Sequence, residues 1–454
     1  MTSEKKRVLV LSHGHPSVSI GGAEVASYNL FRGLNEIPGC ESHYLARVGP
    51  PIAPHRDTPF LSLRQKERET LFYANDYDYF RLSNRDLETL DGPFVRFLRD
   101  VKPDLVHFHH MLGFGLEAIF AVRKTLPNVP VVMTLHEYLA ICNHHGQMVK
   151  TRRQQLCSKS SPADCAMCFP DITPAQFMRR EMFIKSFFEQ VDCFVSPSNF
   201  LLERFVEWGI PRRRIRMLEN GLDLHEIAPA RALPKRGGRR NRFAYFGQLN
   251  EFKGVRVLID AVGRVPQEIW GEDTVLNIFG GNLELQPEAF QVELERLIAR
   301  AGRRVRFHGS YRSPELPRLM REVDWVIVPS TWWENSPIVI QEAFAHGRPL
   351  IVSDIGGMAE KVRHEVDGLH FRAGSAESLV DRLVEAIRAP DLWERLRAGA
   401  PRPLTYRDMA EQHWELYQSL WRARTGDVAQ PAANARGNRA ARRTTVEAVV
   451  DAQA

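Results

Sequence analysis

Two carboxylates frame a short segment in the second half of the chain: Glu334 and Glu342 open and close the run ENSPIVIQE. Ser336 is typical of a helix N-cap and Pro337 of the first helical residue, so we predict a helix that begins here and ends before Gly347. Free backbone amides at a helix start bind anions. A carboxylate on each side of an anion site suits a ligand with a pyrophosphate in the middle and hydroxyls at both ends, such as a nucleotide sugar. Two solvated glutamates on a capped surface helix are the alternative that spacing alone leaves open.

Three glycine turns in the same half of the chain support a phosphate site. Gly247, Gly280 and Gly309 each follow a short apolar run that predicts a strand. A strand-end glycine lets the backbone come close to a phosphate, and Lys253, shortly after Gln248, can neutralise a diphosphate as a point charge. Each turn alone is more often an ordinary tight turn. Three of them together with the glutamate pair favour a nucleotide-binding site.

The first half of the chain supplies its own candidates. Gly21 and Gly22 follow the first predicted strand and open a helix, so their amides could contact a phosphate or a sugar, although they do not form the GxGxxG fingerprint. His136 ends another predicted strand, where a side chain can point into a cleft; a packed or surface histidine is the alternative. Strand alternation sends His109 and His110 to opposite faces, so we expect no shared metal there.

Four cysteines lie close together in the sequence: Cys142, Cys157, Cys165 and Cys168, the last two as a C-x-x-C pair. Four thiolates suit tetrahedral zinc, and the polar segment around them has little apolar content to order it otherwise. We therefore hypothesise a structural zinc site, with four reduced thiols in a loop as the alternative. Six cysteines in 454 residues are too few for a disulfide framework and predict a reducing compartment.

The elements that must position these residues form a repeating pattern. Short apolar runs alternate with helix-like segments, which predicts parallel sheets wrapped by helices, with ligands at the carboxyl ends of the strands. The pattern occurs twice, and 454 residues exceed one ordinary core, so we predict an α/β protein of two doubly wound, Rossmann-like domains facing across a cleft. The predicted strands are residues 7–11, 105–108, 131–135, 193–196, 242–246, 275–279, 305–307, 325–328 and 350–352.

Composition marks the joins between these units. Between residues 227 and 242 the chain holds six basic residues, no acidic one, two prolines and two glycines, which is typical of a linker. Near the C-terminus an amphipathic helix is followed by a tail rich in Ala, Arg, Asn and Gln that has little to bury. The predicted division is a first domain over 1–225, a basic linker over 226–242, a second domain over 243–403, a C-terminal helix over 404–425 and a disordered tail over 426–454.

The net charge is small and selects no class of partner. Lys and Arg number 61 and Asp and Glu 55, which gives +6. This balance fits anionic small molecules, a membrane surface or nucleic acid, but no pattern supports sequence-specific nucleic-acid binding. The apolar run Val8–Leu11 is too short for a signal peptide, and no run reaches the length that spans a bilayer. We predict a cytoplasmic protein and leave open a peripheral contact with the inner face of the cell membrane.

Taken together and in order, the motifs resemble the family 4 (group 1) glycosyltransferases of the GT-B fold over about residues 7–424. Any one motif is weak, but the ordered set is highly specific. The motifs are GGAE at 21–24, PDLVHFHH at 103–110, TLHEY at 134–138, FGQLNEFKG at 246–254, FGG at 279–281, ENSPIVIQE at 334–342 and PLIVSDIGGMAE at 349–360.

The resemblance implies a sugar transfer from a nucleotide donor with retention of configuration and without a catalytic metal. The first domain would then serve the acceptor and the second the donor. By resemblance, Glu342 is the ribose-binding carboxylate, Glu334 contacts the donor sugar, Lys253 neutralises the diphosphate and His136 lies beside the reacting centre. The implied donor-binding set is Gly21, Gly22, Gly247, Gln248, Gly280, Asn335, Ser336, Pro337, Ile338 and Glu342.

One position departs from the family pattern. Many members have Arg where this chain has Gln248. The substitution removes a formal positive charge from the leaving diphosphate, although Gln still donates a hydrogen bond. We expect slower transfer or a compensating basic residue, and not inactivity.

The predicted function is transfer of a hexosyl group from a GDP- or UDP-sugar to a glycan or lipid-linked acceptor in the synthesis of cell-surface polysaccharide. A nucleotide-sugar epimerase or hydrolase of the same fold is one alternative, and a non-catalytic nucleotide-sugar-binding protein that docks on membranes is another. The glutamate pair with Lys253 favours the transferase.

Overall fold

A computed structural model describes residues 5–19, 21–54, 57–63, 66–152, 155–224, 226–234 and 238–425. Within these ranges the strands form one eight-stranded sheet, one six-stranded sheet and a small two-stranded hairpin. The two large sheets occupy successive halves of the chain, and helices connect their strands, as the sequence predicts.

The first sheet is parallel except at one edge. Its strand order is β10-β9-β8-β7-β1-β2-β4-β3, and only β3 runs antiparallel to its neighbour. Strands β1, β7, β8 and β9 are buried along almost their whole length, which explains their continuous apolar runs. The strands of this half, with the hairpin β5–β6, are β1 Lys6–Ser12, β2 Cys40–Val48, β3 Phe60–Ser62, β4 Glu69–Tyr73, β5 Tyr77–Asp78, β6 Ser83–Asn84, β7 Leu105–Phe108, β8 Val131–Thr134, β9 Cys193–Ser196 and β10 Ile215–Met217.

The second sheet is wholly parallel, in the order β13-β12-β11-β14-β15-β16. Its central strands β11 and β14 pair with each other, so the strand order reverses there, and this is where ligands bind in doubly wound sheets. The strands are β11 Arg242–Phe246, β12 Val275–Phe279, β13 Val305–Gly309, β14 Trp325–Val328, β15 Leu350–Ser353 and β16 Gly368–Phe371.

The helices lie in the crossover connections and at the C-terminus. They are α1 Gly22–Leu34, α2 Leu87–Thr89, α3 Val95–Val101, α4 Glu117–Thr125, α5 Pro162–Cys168, α6 Pro174–Phe188, α7 Asn199–Trp208, α8 Val255–Arg264, α9 Gln267–Trp270, α10 Glu288–Ala301, α11 Leu316–Met320, α12 Ile338–Ala345, α13 Gly356–Lys361, α14 Ala376–Arg388, α15 Leu392–Gly399 and α16 Tyr406–Thr425. None of the helices in the described ranges is both long enough and apolar enough to cross a membrane.

The sequence missed β2, β3, β4, β10 and β16, and also the hairpin strands β5 and β6. Strand β2 shows why, because its buried positions are interrupted by half-buried polar ones such as Glu41, His43 and Arg47. Strand β10 has only three residues, of which Arg216 and Met217 are exposed. A short or partly polar strand contains no continuous apolar run. It is recognised only from its pairing with neighbouring strands in the structure.

The C-terminal helix α16 belongs to the second half in sequence but packs on the first sheet. Met409 and Tyr417 are buried in the same apolar cluster as Val8 and Val10 of β1. The Tyr417 hydroxyl lies 2.6 Å from Nδ1 of His107, at the centre of the first sheet. The helix therefore ties the end of the second half back to the first.

Several basic residues of the linker region are bound within the fold. Arg231 and Arg240 both pair with the fully buried Asp324, at 2.6 and 3.3 Å. Outside the linker, the first-domain residue Arg212 pairs with Glu203 on α7. Residues 235–237 of the predicted linker and the tail 426–454 lie outside the described residues. A membrane contact through this region would therefore rely on fewer free cations than the sequence indicates.

Candidate active site

Polar residues that follow strands of both sheets meet around two adjoining cavities. The larger cavity, of about 480 Å³, lies against the ends of β11 and β14 and against the start of α1. The smaller cavity, of about 290 Å³, adds residues that follow β1, β7 and β8 of the first sheet. The two share Gly22, Lys253, Trp332, Glu334, Pro337 and Ile338.

The structure places nearly every predicted site residue on these walls. Gly21, Gly22, Gly247, Gln248, Lys253, Glu334, Pro337, Ile338 and Glu342 line the larger cavity. His136, Asn335 and Ser336 line the smaller one. Gly280 lies behind the wall, where a Cβ atom would approach the Gly247 carbonyl oxygen to 2.5 Å. Gly280 therefore allows the turn after β12 to pack closely against the turn at Gly247.

Lys253 and Glu334 form an ion pair where the cavities join. The Lys253 ammonium lies 2.6 Å from Glu334 Oε1. The same oxygen accepts hydrogen bonds from Ser330 Oγ at 2.7 Å and from Trp332 Nε1 at 3.0 Å. Three donors therefore hold this largely buried carboxylate in one orientation.

The loop before Lys253 is shaped by local hydrogen bonds and a glycine. Asn250 accepts from the backbone amides of Phe252 and Lys253, both at 3.1 Å. Gly254 has φ +70, and a Cβ atom there would lie 1.8 Å from the Pro329 carbonyl oxygen. A left-handed glycine is therefore required for this loop to pack against the strand end that leads to Glu334.

Helix α12 begins later than the sequence predicts. Pro337 is the N-cap and Ile338 the first helical residue, with no side-chain cap. Ser336 is not the N-cap: its hydroxyl donates to Glu219 Oε1 at 2.6 Å, a residue of the first half. The predicted end is correct, since Gly347 follows the helix with φ +65.

Glu342 lies one turn inside α12 and is half-buried on the wall of the larger cavity. Burial raises the pKa of its carboxyl group to about 7. The group therefore changes its protonation near neutral pH. A hydroxyl pair placed against it would find a hydrogen-bond acceptor once the carboxylate forms.

His136 is held by contacts from both halves. Its carbonyl oxygen accepts from Asn335 Nδ2 at 3.1 Å, and Asn335 Oδ1 accepts from the Ser198 hydroxyl. Its Nε2 lies 3.0 Å from Nδ1 of His109. Burial lowers the pKa of His136 to about 3 and that of His109 well below its usual value, so both rings are neutral.

Glu219 of the first half contacts the second half across the cleft, and no motif in the sequence indicated this role. Its carboxylate accepts from Ser336 and from Gln341 Nε2, the latter at 2.8 Å, and pairs with Lys361. Because these partners belong to the second half, only the packing of the two halves reveals the role of Glu219.

Other wall residues were missed although they adjoin the motifs. His13, His110, Glu137 and Tyr138 line the smaller cavity together with the indoles of Trp332 and Trp333. His13 directly follows β1, and Glu137 and Tyr138 directly follow His136. Their position at strand ends is the signal that could have identified them.

Gln248 is exposed on the larger cavity, and no described residue of the wall supplies a basic group in place of the missing arginine. Among the described residues that line this cavity, Lys253 is the only cation. Of the two expected outcomes, the described wall holds no compensating basic residue, so slower transfer stays the prediction.

The four clustered cysteines are reduced and half-buried. Burial, with smaller contributions from the neighbouring Cys165 and Cys157, raises the pKa of the Cys142 thiol to about 11. In the part of the chain that the structure describes, no three His, Cys, Asp or Glu residues are placed to hold a metal ion. The zinc site stays a prediction. Cys40 and Cys193 are buried core residues, as expected.

Two family models match the chain. The model described as Glycosyltransferase Family 4 matches residues 20–226, and the model described as Glycosyl transferases group 1 matches residues 240–389. Together they cover the second sheet, the first sheet apart from β1, and the residues of the two cavity walls apart from His13.

Several curated proteins are similar in sequence. A D-inositol 3-phosphate glycosyltransferase of Jonesia denitrificans is 26% identical over 66% of this chain and 67% of its own length. A glycogen synthase of Mycobacterium tuberculosis is 24% identical over 88% and 90%. A UDP-Gal:alpha-D-GlcNAc-diphosphoundecaprenol alpha-1,3-galactosyltransferase of Escherichia coli is 25% identical over 66% and 70%.

Solved structures share the fold across almost the whole chain. Sucrose-phosphate synthase from Thermosynechococcus elongatus has a TM-score of 0.68 at 18% identity, covering 92% of this chain and 100% of that one. HepE from Anabaena, in complex with UDP-glucose, has a TM-score of 0.61 at 18% identity, covering 91% and 99%. The GT-B architecture of two Rossmann-like domains is therefore confirmed.

Proposed function

Since the chain belongs to the group 1, family 4 glycosyltransferases, we propose that it moves a hexosyl group from a GDP- or UDP-sugar to a hydroxyl of a glycan or lipid-linked acceptor, with retention of configuration. The reaction would contribute to cell-surface polysaccharide or glycoconjugate synthesis. The observation that carries the proposal is the Lys253–Glu334 pair at the junction of the two cavities, 2.6 Å apart.

The charged residues that line the larger cavity support a nucleotide sugar. Glu342 is available for ribose hydroxyls, Lys253 for the diphosphate and Glu334 for the donor sugar. Amides at the start of α12 add donors for the phosphate.

The proposed chemistry relies on electrostatic stabilisation. As the diphosphate leaves, the anomeric carbon becomes oxocarbenium-like, and Lys253 stabilises the charge on the departing oxygens. Glu334 orients the donor sugar, because three donors already hold its Oε1 atom. We adopt attack by the acceptor on the same face, with a donor phosphate oxygen taking its proton. Closure of the domains would exclude water.

The relatives are named for different acceptors: an inositol phosphate, glycogen and a lipid-linked sugar. Structural neighbours in complex with UDP-glucose or ADP support a nucleotide-linked donor. The cavity of this chain itself is therefore the guide to its acceptor.

We also propose that the enzyme works in the cytoplasm at the inner face of the cell membrane, since a lipid-linked acceptor would lie there. Liposome flotation with anionic and neutral vesicles tests this. Binding to anionic vesicles that is lost at high salt supports electrostatic docking, and recovery of the protein only in the soluble fraction contradicts it.

The test of the proposed function is a thermal-shift screen of UDP-, GDP- and ADP-sugars, followed by transfer of labelled sugar. A true donor at 100 times its dissociation constant stabilises the protein by about 2.7 kcal/mol. Label that enters an acceptor supports the transferase, whereas label that appears only as free or epimerised sugar supports a hydrolase or an epimerase. Failure of every nucleotide sugar to stabilise the protein would refute a donor site.

A further inference from the structure

We propose that the smaller cavity binds the acceptor as a neutral, polyhydroxylated sugar ring and rejects a phosphate or carboxylate beside the reacting hydroxyl. The inference rests on the proposed function, which supplies the donor. The surface involved, here called the acceptor wall, consists of His13, His110, Glu137 and Tyr138, all from the first half of the chain.

The first element of the acceptor wall is the carboxylate of Glu137, which forms no direct ion pair with a lysine or arginine among the described residues. His110 accepts from the Leu112 amide at Nδ1, at 2.9 Å, so its ring proton lies on Nε2. That Nε2–H group faces Glu137 Oε1 at 3.1 Å. The other oxygen of Glu137 accepts from the Leu139 amide. The carboxylate is therefore oriented by the His110 ring and by a backbone amide, and it retains lone pairs for ligand hydroxyls.

The second element is a histidine nitrogen without a partner. His13 Nε2 lies 3.2 Å from Glu24 Oε1, and burial lowers the pKa of His13, so the neutral ring donates its Nε2 proton to this carboxylate. Nδ1 is left with a lone pair and has no hydrogen-bond partner within the described residues. Its ring centre lies 4.6 Å from that of His110, so both histidine–glutamate pairs belong to one surface. A hydroxyl donor would satisfy Nδ1.

The third element is a buried hydroxyl. Tyr138 is 1% exposed, and its hydroxyl has no hydrogen-bond partner in the described structure. Buried hydroxyl groups in proteins are usually paired, so the unpaired hydroxyl of a residue that lines the cavity is a candidate for a ligand contact. Because a hydroxyl both donates and accepts, a sugar hydroxyl is its natural complement.

The charged residues that line the smaller cavity favour a neutral ligand over an anionic one. Among the described residues that line the smaller cavity, Lys253 is the only cation, and Glu334 already binds it. An acceptor phosphate or carboxylate here would face Glu137 without a cation of its own, which disfavours it strongly in a partly buried site. Hydroxyl groups instead donate to Glu137 and to His13 Nδ1. The indole of Trp333 adds an apolar surface of the kind that lines sugar pockets.

A matched acceptor panel tests the proposal directly. The full chain is incubated with UDP-glucose, UDP-galactose and GDP-mannose in turn, and nucleotide release and labelled product are measured. The acceptors are glucose, mannose and N-acetylglucosamine as methyl glycosides, each beside its 6-phosphate. We expect kcat/KM at least about 10-fold higher for the neutral member of a pair. Equal or better transfer to the phosphorylated members, or no transfer to any member, overturns the proposal.

Substitutions in the acceptor wall test which residues cause the preference for neutral over phosphorylated acceptors. Glu137→Gln removes the charge and keeps the shape, so KM for neutral acceptors should rise about 10-fold while KM for the donor stays within about twofold. The preference over phosphorylated acceptors should shrink as well. The exposed Glu88→Gln is the matched control and should change none of these values.

A second variant keeps the test decisive if Glu137→Gln does not fold. Tyr138→Phe removes only the unpaired hydroxyl, and we expect a higher acceptor KM with unchanged donor stabilisation. Unchanged acceptor KM and unchanged discrimination in both variants overturn the proposal. Donor stabilisation is measured in the same samples: its absence refutes the proposed function itself, whereas bound donor with preferred phosphorylated acceptors refutes only the acceptor class.

Discussion

Nζ of Lys253 lies 2.6 Å from Oε1 of Glu334, although the two residues follow different strands of the second sheet. The sequence assigns them separate tasks, one on the diphosphate and one on the sugar. Their contact makes them a single unit at the junction of the two cavities. A donor whose diphosphate approaches Lys253 must therefore lie against Glu334 as well.

Loss of this pair should remove most of the activity. Lys253→Met and Glu334→Gln should each lower kcat by roughly 10²–10³-fold, since each removes preorganised stabilisation of the departing diphosphate or the sugar. The double variant should lose less than the product of the two, because the residues act as a unit. Steady-state transfer assays measure this, with the exposed Lys124→Met as the matched control. Near wild-type rates in both single variants would show that the site lies elsewhere.

The buried carboxyl of Glu342 should make stability depend on pH. Its pKa is raised from 4.5 to about 7 by burial, so the folded state holds the proton more tightly than the unfolded chain. This contribution is fully present below pH 4.5 and is lost as the pH rises to about 7. Glu342→Gln removes it, so the variant should gain about 2–3 kcal/mol relative to wild type between pH 5 and pH 8. Urea unfolding at both pH values tests this, and a stability difference that does not change with pH contradicts it.

His109 should set the tautomer of His136. Nε2 of His109 is buried and has no partner in the described structure. An unpaired lone pair is tolerated better than an unpaired N–H, so His109 carries its proton on Nδ1 and donates to His136. The His136 proton then lies on Nδ1.

Nitrogen-15 chemical shifts should show this tautomer, and His109→Phe should abolish the preference and lower kcat roughly 10-fold, the value of one hydrogen bond. His109→Gln retains a donor and should recover part of the rate. A pH–rate profile without a His136 ionisation between pH 5 and 9 is expected from its low pKa. Equal rates for the Phe and Gln variants would contradict a positioning role.

Gln248 should limit the rate of transfer. Its side chain is exposed on the larger cavity, and Lys253 is the only cation on the described wall. Gln248→Arg adds a bidentate donor for phosphate and should raise kcat several-fold. Gln248→Glu should lower it by a similar factor. An unchanged rate in both variants would mean that residue 248 does not contact the diphosphate.

The cysteine cluster should hold zinc if the sequence hypothesis is correct. Protein purified without chelator should contain about one equivalent, and Cys165→Ser should reduce it to near zero. Cys40→Ala, in the core, is the matched control. Less than about a tenth of an equivalent in the wild-type protein, by elemental analysis, would reject the site.

Much of the fold could be predicted because its signals are local. The buried strands β11, β12 and β14 match the predicted ranges residue for residue, since a parallel strand buried on both faces is a continuous apolar run. The predicted start of α12 was wrong because a residue distant in sequence competes for the side chain that was expected to cap the helix. Ser336 is chemically suited to cap α12, but Glu219 takes its hydroxyl instead.

By itself, the sequence determined the two doubly wound units, the strand-end glycines and the run from Glu334 to Glu342, because spacing along one chain sets these features. Only the tertiary structure decided which residues of the two halves meet. Asn335 reaches the His136 carbonyl across 199 positions of sequence. The pairing of Glu219 and the acceptor wall likewise arise from the packing of two domains. Local propensity carries no information about such contacts, since their geometry depends on how separate folded surfaces fit together.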